Sequence, residues 1–109
     1  MTEPIDAIIV LITVPTQDVG TAIAQALVEE RLAACVNLVP GITSWFRWEG
    51  KVQAEPEVLL LVKSGRGLFE ALAARVRSLH PYTVPEIIAL PIVAGNQPYL
   101  SWIKDSISP

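Results

Sequence analysis

A single cysteine and a single histidine in 109 residues close off several kinds of chemistry at once. With only Cys35, no intrachain disulfide, paired CxxC redox motif or multi-cysteine zinc site can form. With only His80, one chain cannot build a three-histidine catalytic metal centre. Charge is scarce too: 17% of residues are Asp, Glu, Lys or Arg, and the net charge is -3. The basic side chains are scattered and no stripe tracks a phosphate backbone, which argues against nucleic acid as a partner. No basic leader precedes an apolar core, so no signal peptide is expected. No apolar run nears the ~20 residues that cross a bilayer, so no membrane segment is expected either. A reducing, cytoplasmic location follows as the expectation. Nucleophile-elbow and HExxH patterns are missing. Ser64-Gly65-Arg66-Gly67 lacks the Walker lysine and reads as a plain turn, so the chain is not expected to be an enzyme.

What the chain has in quantity is apolar side chain, 51% of it. The length is that of one domain, taken as residues 1–109. So small a monomer hides that much apolar surface poorly, and self-association is the simplest remedy. Ile5 to Thr13 is a short β-branched and aliphatic run, the pattern of a strand covered on both faces. After Pro15, Thr16 is placed to cap a helix and Asp18 puts negative charge in its first turn. Val19, Ile23, Ala26 and Leu27 keep helical spacing. Ala34 to Leu38 starts a second strand, Pro40-Gly41 bends it, and it resumes through Ile42, Ser44 and Phe46. Trp48-Glu49-Gly50-Lys51 reads as a tight turn with Gly50 at positive φ. Val52 to Lys63 returns as the third strand, with a centre, Val58 to Val62, that is apolar on both faces.

Leu68, Leu72, Val76 and Leu79 form the buried stripe of a second helix, which His80-Pro81 ends. Val84 to Ile92 is a fourth strand. Its two prolines suit an edge or bulged position. Pro98 to Ile107 is a short last helix with Leu100, Ile103 and Ile107 on one stripe. The order is α+β: a split β-α-β plan with a four-stranded antiparallel sheet, two helices on one face, a long hairpin between the second and third strands, and a C-terminal helix. The face without helices is left for another subunit.

The segment from His80 to Glu86 gathers the only imidazole, Tyr82, a carboxylate and two prolines at one helix-to-strand junction. The prolines brace it. His80 has two readings: a ligand for copper or zinc, or a cap on the last carbonyls of the second helix. Glu86 is an exposed carboxylate or one placed at an inter-subunit cleft. Cys35 is a small buried hydrophobe or, with His80, a soft ligand for Cu(I). Trp45, Phe46 and Trp48 crowd the hairpin tip, either as interface anchors or as the lining of a small-ligand cleft with Tyr82, Lys63 and Glu57. Lys63 and Arg47 either neutralise a bound anion or pair with Glu49 and Glu57.

Several separated motifs resemble the CutA divalent-cation tolerance family. They are Glu30-Arg31-Leu32-Ala33-Ala34-Cys35-Val36-Asn37, the Pro40 to Ser44 bend, Arg47 to Lys51, Glu57 to Lys63, His80 to Ile92, and Gly95-Asn96 with Tyr99 and Trp102. The resemblance spans essentially the whole chain. It implies a ferredoxin-like protomer, a homotrimer, a cytoplasmic home, and reversible binding of copper or another divalent ion. It also implies a signalling role by likeness to the trimeric PII proteins, with a small molecule or protein as partner. One departure stands out. Thr83 occupies the place after the tyrosine where such proteins usually carry an acidic residue, which removes a potential carboxylate ligand.

Overall fold

A computed structural model describes residues 6–109. Three long-range pairings organise it. Strand β1 (Ala7–Val14) lies between β3 (Lys51–Gly65) and β4 (Ile87–Pro91), and β2 (Cys35–Trp48) closes the other edge, all antiparallel in the order β2-β3-β1-β4. Helices α1 (Gln17–Glu29) and α2 (Phe69–Leu79) follow β1 and β3, and α3 (Gln97–Ser106) ends the chain. This is the ferredoxin-like split β-α-β arrangement, with the long hairpin and C-terminal helix read from the sequence. Ile5, read there as the start of the first strand, falls outside the described residues.

Side-chain alternation decides which face of the sheet is dry. Ile8, Val10, Ile12 and Val14 of β1 and Leu60 and Val62 of β3 are buried. They pack with Ile23 and Leu27 of α1 and Leu72 and Val76 of α2 into one core. Gly20 of α1 permits the close approach. A Cβ there would sit 3.2 Å from both Leu38 and Val14, so the bare glycine lets the helix lie against the sheet.

The opposite face carries Ile9, Leu11, Leu59 and Leu61, all half-buried, and Ile88 and Leu90, about half exposed at 50% and 51%. The expectation that helices cover only one face needs correction at one corner. Ile103 of α3 is buried against Ala7 and Ala34, with Leu100 and Ile107 beside it. Ala7 alternates with the core residues of β1, so α3 covers the end of the second face.

Local chemistry sets the boundaries. The Thr16 hydroxyl accepts from the Val19 amide at 3.2 Å, and Asp18 lies in the first turn, as the capping pattern foretold. The bend in β2 is a register shift between Val39 and Ile42, with Gly41 at φ 80°. At the hairpin tip Trp48 pairs with Lys51. Glu49 and Gly50 between them both have positive φ, 51° and 77°, which is the backbone a two-residue turn needs to follow strand twist. The fourth strand is shorter than the Val84 to Ile92 run. Pro85 cannot donate to a ladder, and pairing begins at Ile87. Its edge position agrees with the reading of its prolines.

Candidate functional site

The arm of the β2–β3 hairpin beyond its bend, the end of β1 and the loop after α2 enclose a groove of roughly 920 Å³. Trp45, Phe46, Trp48 and Tyr82 give it aromatic walls, and Glu55, Glu57 and Glu86 line it with carboxylates. Arg47 is the one basic residue among its lining. Four of the aromatic and acidic residues expected at a cleft (Trp45, Trp48, Glu57 and Tyr82) are therefore brought together, and Glu86 joins them. Glu55 escaped notice in the sequence because nothing local separates it from any other exposed strand carboxylate.

Beneath the groove a polar chain fixes its floor. His80 is buried, with 7% of its surface exposed. Its Nε2 lies 2.8 Å from the Thr13 carbonyl oxygen, and its Nδ1 accepts from the Tyr82 amide at 3.2 Å. A carbonyl can only accept and an amide can only donate, so the proton resides on Nε2. The imidazole side chain thus ties the loop to the end of β1, while the backbone N–H of His80, bonded to the Val76 carbonyl, closes α2. The side-chain cap on the last carbonyls of α2 that the sequence suggested is replaced by this bond to β1. Tyr82 stacks against the ring at 4.7 Å, tilted by 49°, and donates its hydroxyl to Glu57 Oε2 at 2.8 Å. Burial and the Glu57 bond push the Tyr82 phenol up to about 12.

Cys35 and Lys63 lie elsewhere. They pair with one another across β2 and β3, whereas Thr13 pairs with Leu59, four positions along β3 and roughly 13 Å away at strand rise. Lys63 donates to Asn37 Oδ1 and approaches Cys35 Sγ at 3.9 Å. It reaches neither Glu57 nor the groove lining. Burial, followed by the neighbouring Cys35 thiol, raises the Tyr99 phenol of α3 above its ordinary value. Among the described residues no three His, Cys, Asp or Glu side chains stand close enough to hold a metal ion. With both His80 ring nitrogens engaged and Cys35 remote, the side chains of one chain do not fit a closed metal site.

The reading of Lys63 or Arg47 paired with Glu49 or Glu57 finds no counterpart. The salt bridge among the described residues is Arg75 to Glu30, 2.9 Å, which joins the middle of α2 to the C-terminal cap of α1. Arg31 was also unforeseen as a structural group. It stands just past α1 with φ 60°, and its Nη2 donates to the Asp105 carbonyl at 2.9 Å, so it caps the C-terminal end of α3. The Ser108 amide returns a bond to the Arg31 carbonyl at 2.9 Å.

Sheet order, hairpin arm and groove define a ferredoxin-like α+β protein with aromatic and acidic side chains along one groove; none of the described hydrogen bonds joins a serine, threonine or cysteine side chain to His80. The chain belongs to the CutA1 divalent ion tolerance protein family, whose family model matches residues 8–106. It is 59% identical over 98 residues to the divalent-cation tolerance protein CutA of Thermus thermophilus, covering 90% of this chain and 95% of that one. A solved structure of that organism's divalent cation tolerance protein superposes with a TM-score of 0.92 at 57% identity, covering 94% of this chain and 99% of the other. Protein CutA, chloroplastic, of Arabidopsis thaliana is 48% identical over 95% of this chain, which spans only 57% of the plant protein. The family's description is of tolerance to divalent ions, not of a reaction.

Proposed function

We propose that this cation-tolerance protein works in the cytoplasm as a homotrimer that binds copper or another divalent ion reversibly where subunits meet. The supporting observation is its 59% identity, nearly end to end, to a divalent-cation tolerance protein. Because the described residues of one chain do not gather three ligands, the ligands in this reading come from more than one subunit. Glu86, exposed on the groove rim, is the first candidate. His80 joins only by exchanging the Tyr82 amide for the ion at Nδ1, and Cys35 only across a subunit boundary.

Calorimetric titration of the assembled protein with Cu²⁺ tests the reading. Glu86→Gln weakens affinity about tenfold if its carboxylate is a ligand. Equal affinities in wild type and His80→Ala take His80 out of the set. No heat from any divalent ion removes direct binding from the account.

A second reading is favoured by the groove itself. A walled cleft of roughly 920 Å³ has the size of a small-molecule site. In this reading the protein is a PII-like signalling trimer that senses an organic ligand or presents its hairpin arm to a protein partner, and its binding of metal is incidental.

A further inference from the structure

One carbonyl at the end of β1 has a donor that the sheet register does not supply. Strands β1 and β4 pair from Ile8 with Pro91 to Ile12 with Ile87. One step further, Thr13 would face Glu86. The Ala7 carbonyl accepts from the Ile92 amide at 3.1 Å, and carbonyl direction alternates along a strand. The Thr13 carbonyl therefore points toward β4 as well, where the Glu86 amide would be its ladder donor. Pairing stops short of that rung. Pro85 does not explain the stop, because Glu86 keeps its own N–H.

A side chain takes the carbonyl instead. His80 Nε2 lies 2.8 Å from it, and Nδ1 accepts from the Tyr82 amide at 3.2 Å, so the ring is held in one orientation with its proton on Nε2. Pro81 keeps His80 in extended backbone, ψ 134°, just past the end of α2. These bonds lie within one chain, and the ring is already buried. Association with sister chains can only bury it further.

We propose that the His80 imidazole substitutes for the last rung of the β1–β4 ladder, and so sets where β4 ends and how Glu86 is held. With the ring on Thr13, the Glu86 backbone stays out of the sheet and belongs to the loop that lines the groove. With the ring withdrawn, the Thr13 carbonyl is an unmet acceptor, and the Glu86 amide is the donor in register to meet it. Strand β4 then grows by one residue and draws Glu86 into the ladder. The proposal goes beyond both readings above, since it concerns the backbone that carries Glu86 and holds for either kind of ligand.

Amide hydrogen exchange and NMR of the intact, assembled protein provide the test. In wild type the Glu86 amide exchanges freely, and long-range ¹⁵N spectra show His80 protonated on Nε2. In His80→Asn, Oδ1 still reaches the Tyr82 amide but nothing reaches Thr13. The Glu86 amide there is expected to exchange about tenfold more slowly, with a scalar coupling to the Thr13 carbonyl. His80→Gln restores a donor near the place of Nε2, and Glu86 returns to the wild-type rate. A ring that merely props the loop gives the opposite sign, because its loss speeds exchange at Glu86. Faster or unchanged exchange at Glu86 in both His80→Asn and His80→Ala overturns the proposal. So does a Glu86 amide already protected in wild type, which would mean that the carbonyl accepts from both donors; that measurement stands even where a variant fails to fold.

Discussion

Tyr82 is held from two sides. Its ring lies on His80, its backbone N–H donates to His80 Nδ1, and its hydroxyl donates to Glu57. Ionising that hydroxyl would place a phenolate against a buried carboxylate, and burial alone already disfavours it, so the folded value rises from 10.0 to about 12. The folded chain therefore holds this proton more tightly than the unfolded chain does. The stabilisation it contributes is complete below pH 10, fades as pH climbs, and is gone above about 12. Tyr99 is shifted in the same direction. An alkaline absorbance titration of the folded protein is expected to show neither tyrosine ionising at its ordinary value. Glu57→Gln should bring the Tyr82 step down part of the way, leaving the portion due to burial. A full tyrosine step at pH 10 in the folded wild type would contradict the Tyr82–Glu57 bond.

At the scale of elements, what could be read from sequence was what neighbours in the chain decide. Thr16 caps an amide three residues on, Pro40-Gly41 kinks its own strand, and Gly50 turns its own hairpin. Each is fixed by side-chain chemistry within a few residues. The rest depends on distance through space. His80 finds Thr13 across 67 residues, Tyr82 finds Glu57 across 25, and Arg31 finds Asp105 across 74. No spacing rule foretells those pairs. The same limit let Lys63 be placed with the cleft residues, although strand register carries it toward Cys35 and Asn37. Arg31 gives this a measurable form. Its positive φ strains any residue with a Cβ, while its guanidinium caps α3. Arg31→Ala loses the cap and keeps the strain, whereas Arg31→Gly loses the cap and relieves it. Arg31→Gly should therefore be the more stable variant by about 1 kcal/mol in denaturant unfolding. In both, amides of α3 should exchange with solvent faster than in wild type. Slower exchange, or Arg31→Ala proving the more stable, would count against this account of the residue.

For the molecule as a whole, the sheet is dry on one side and only half covered on the other. The α1–α2 face buries Val10, Ile12, Leu60 and Val62 completely. On the reverse, α3 shields one corner, while Leu11 and Leu61 stay half-buried and Ile88 and Leu90 about half exposed. A contiguous apolar face of this kind is uncommon on a monomer, and burying it gains about 25 cal/mol for each Å² removed from water. The long hairpin extends from the same sheet, so sister chains can bury both surfaces in one assembly. Sedimentation equilibrium in dilute solution is expected to give three times the mass of one chain. Leu61 pairs with both Leu11 and Asn37 at the middle of the half-covered face, so Leu61→Glu should lower the mass toward that of one chain. Leu61→Ala, which introduces no charge, should weaken association less. The wild-type measurement decides the matter even if Leu61→Glu fails to fold: a well-folded single chain would mean the reverse face tolerates water, and ligand sets shared between subunits would lose their basis.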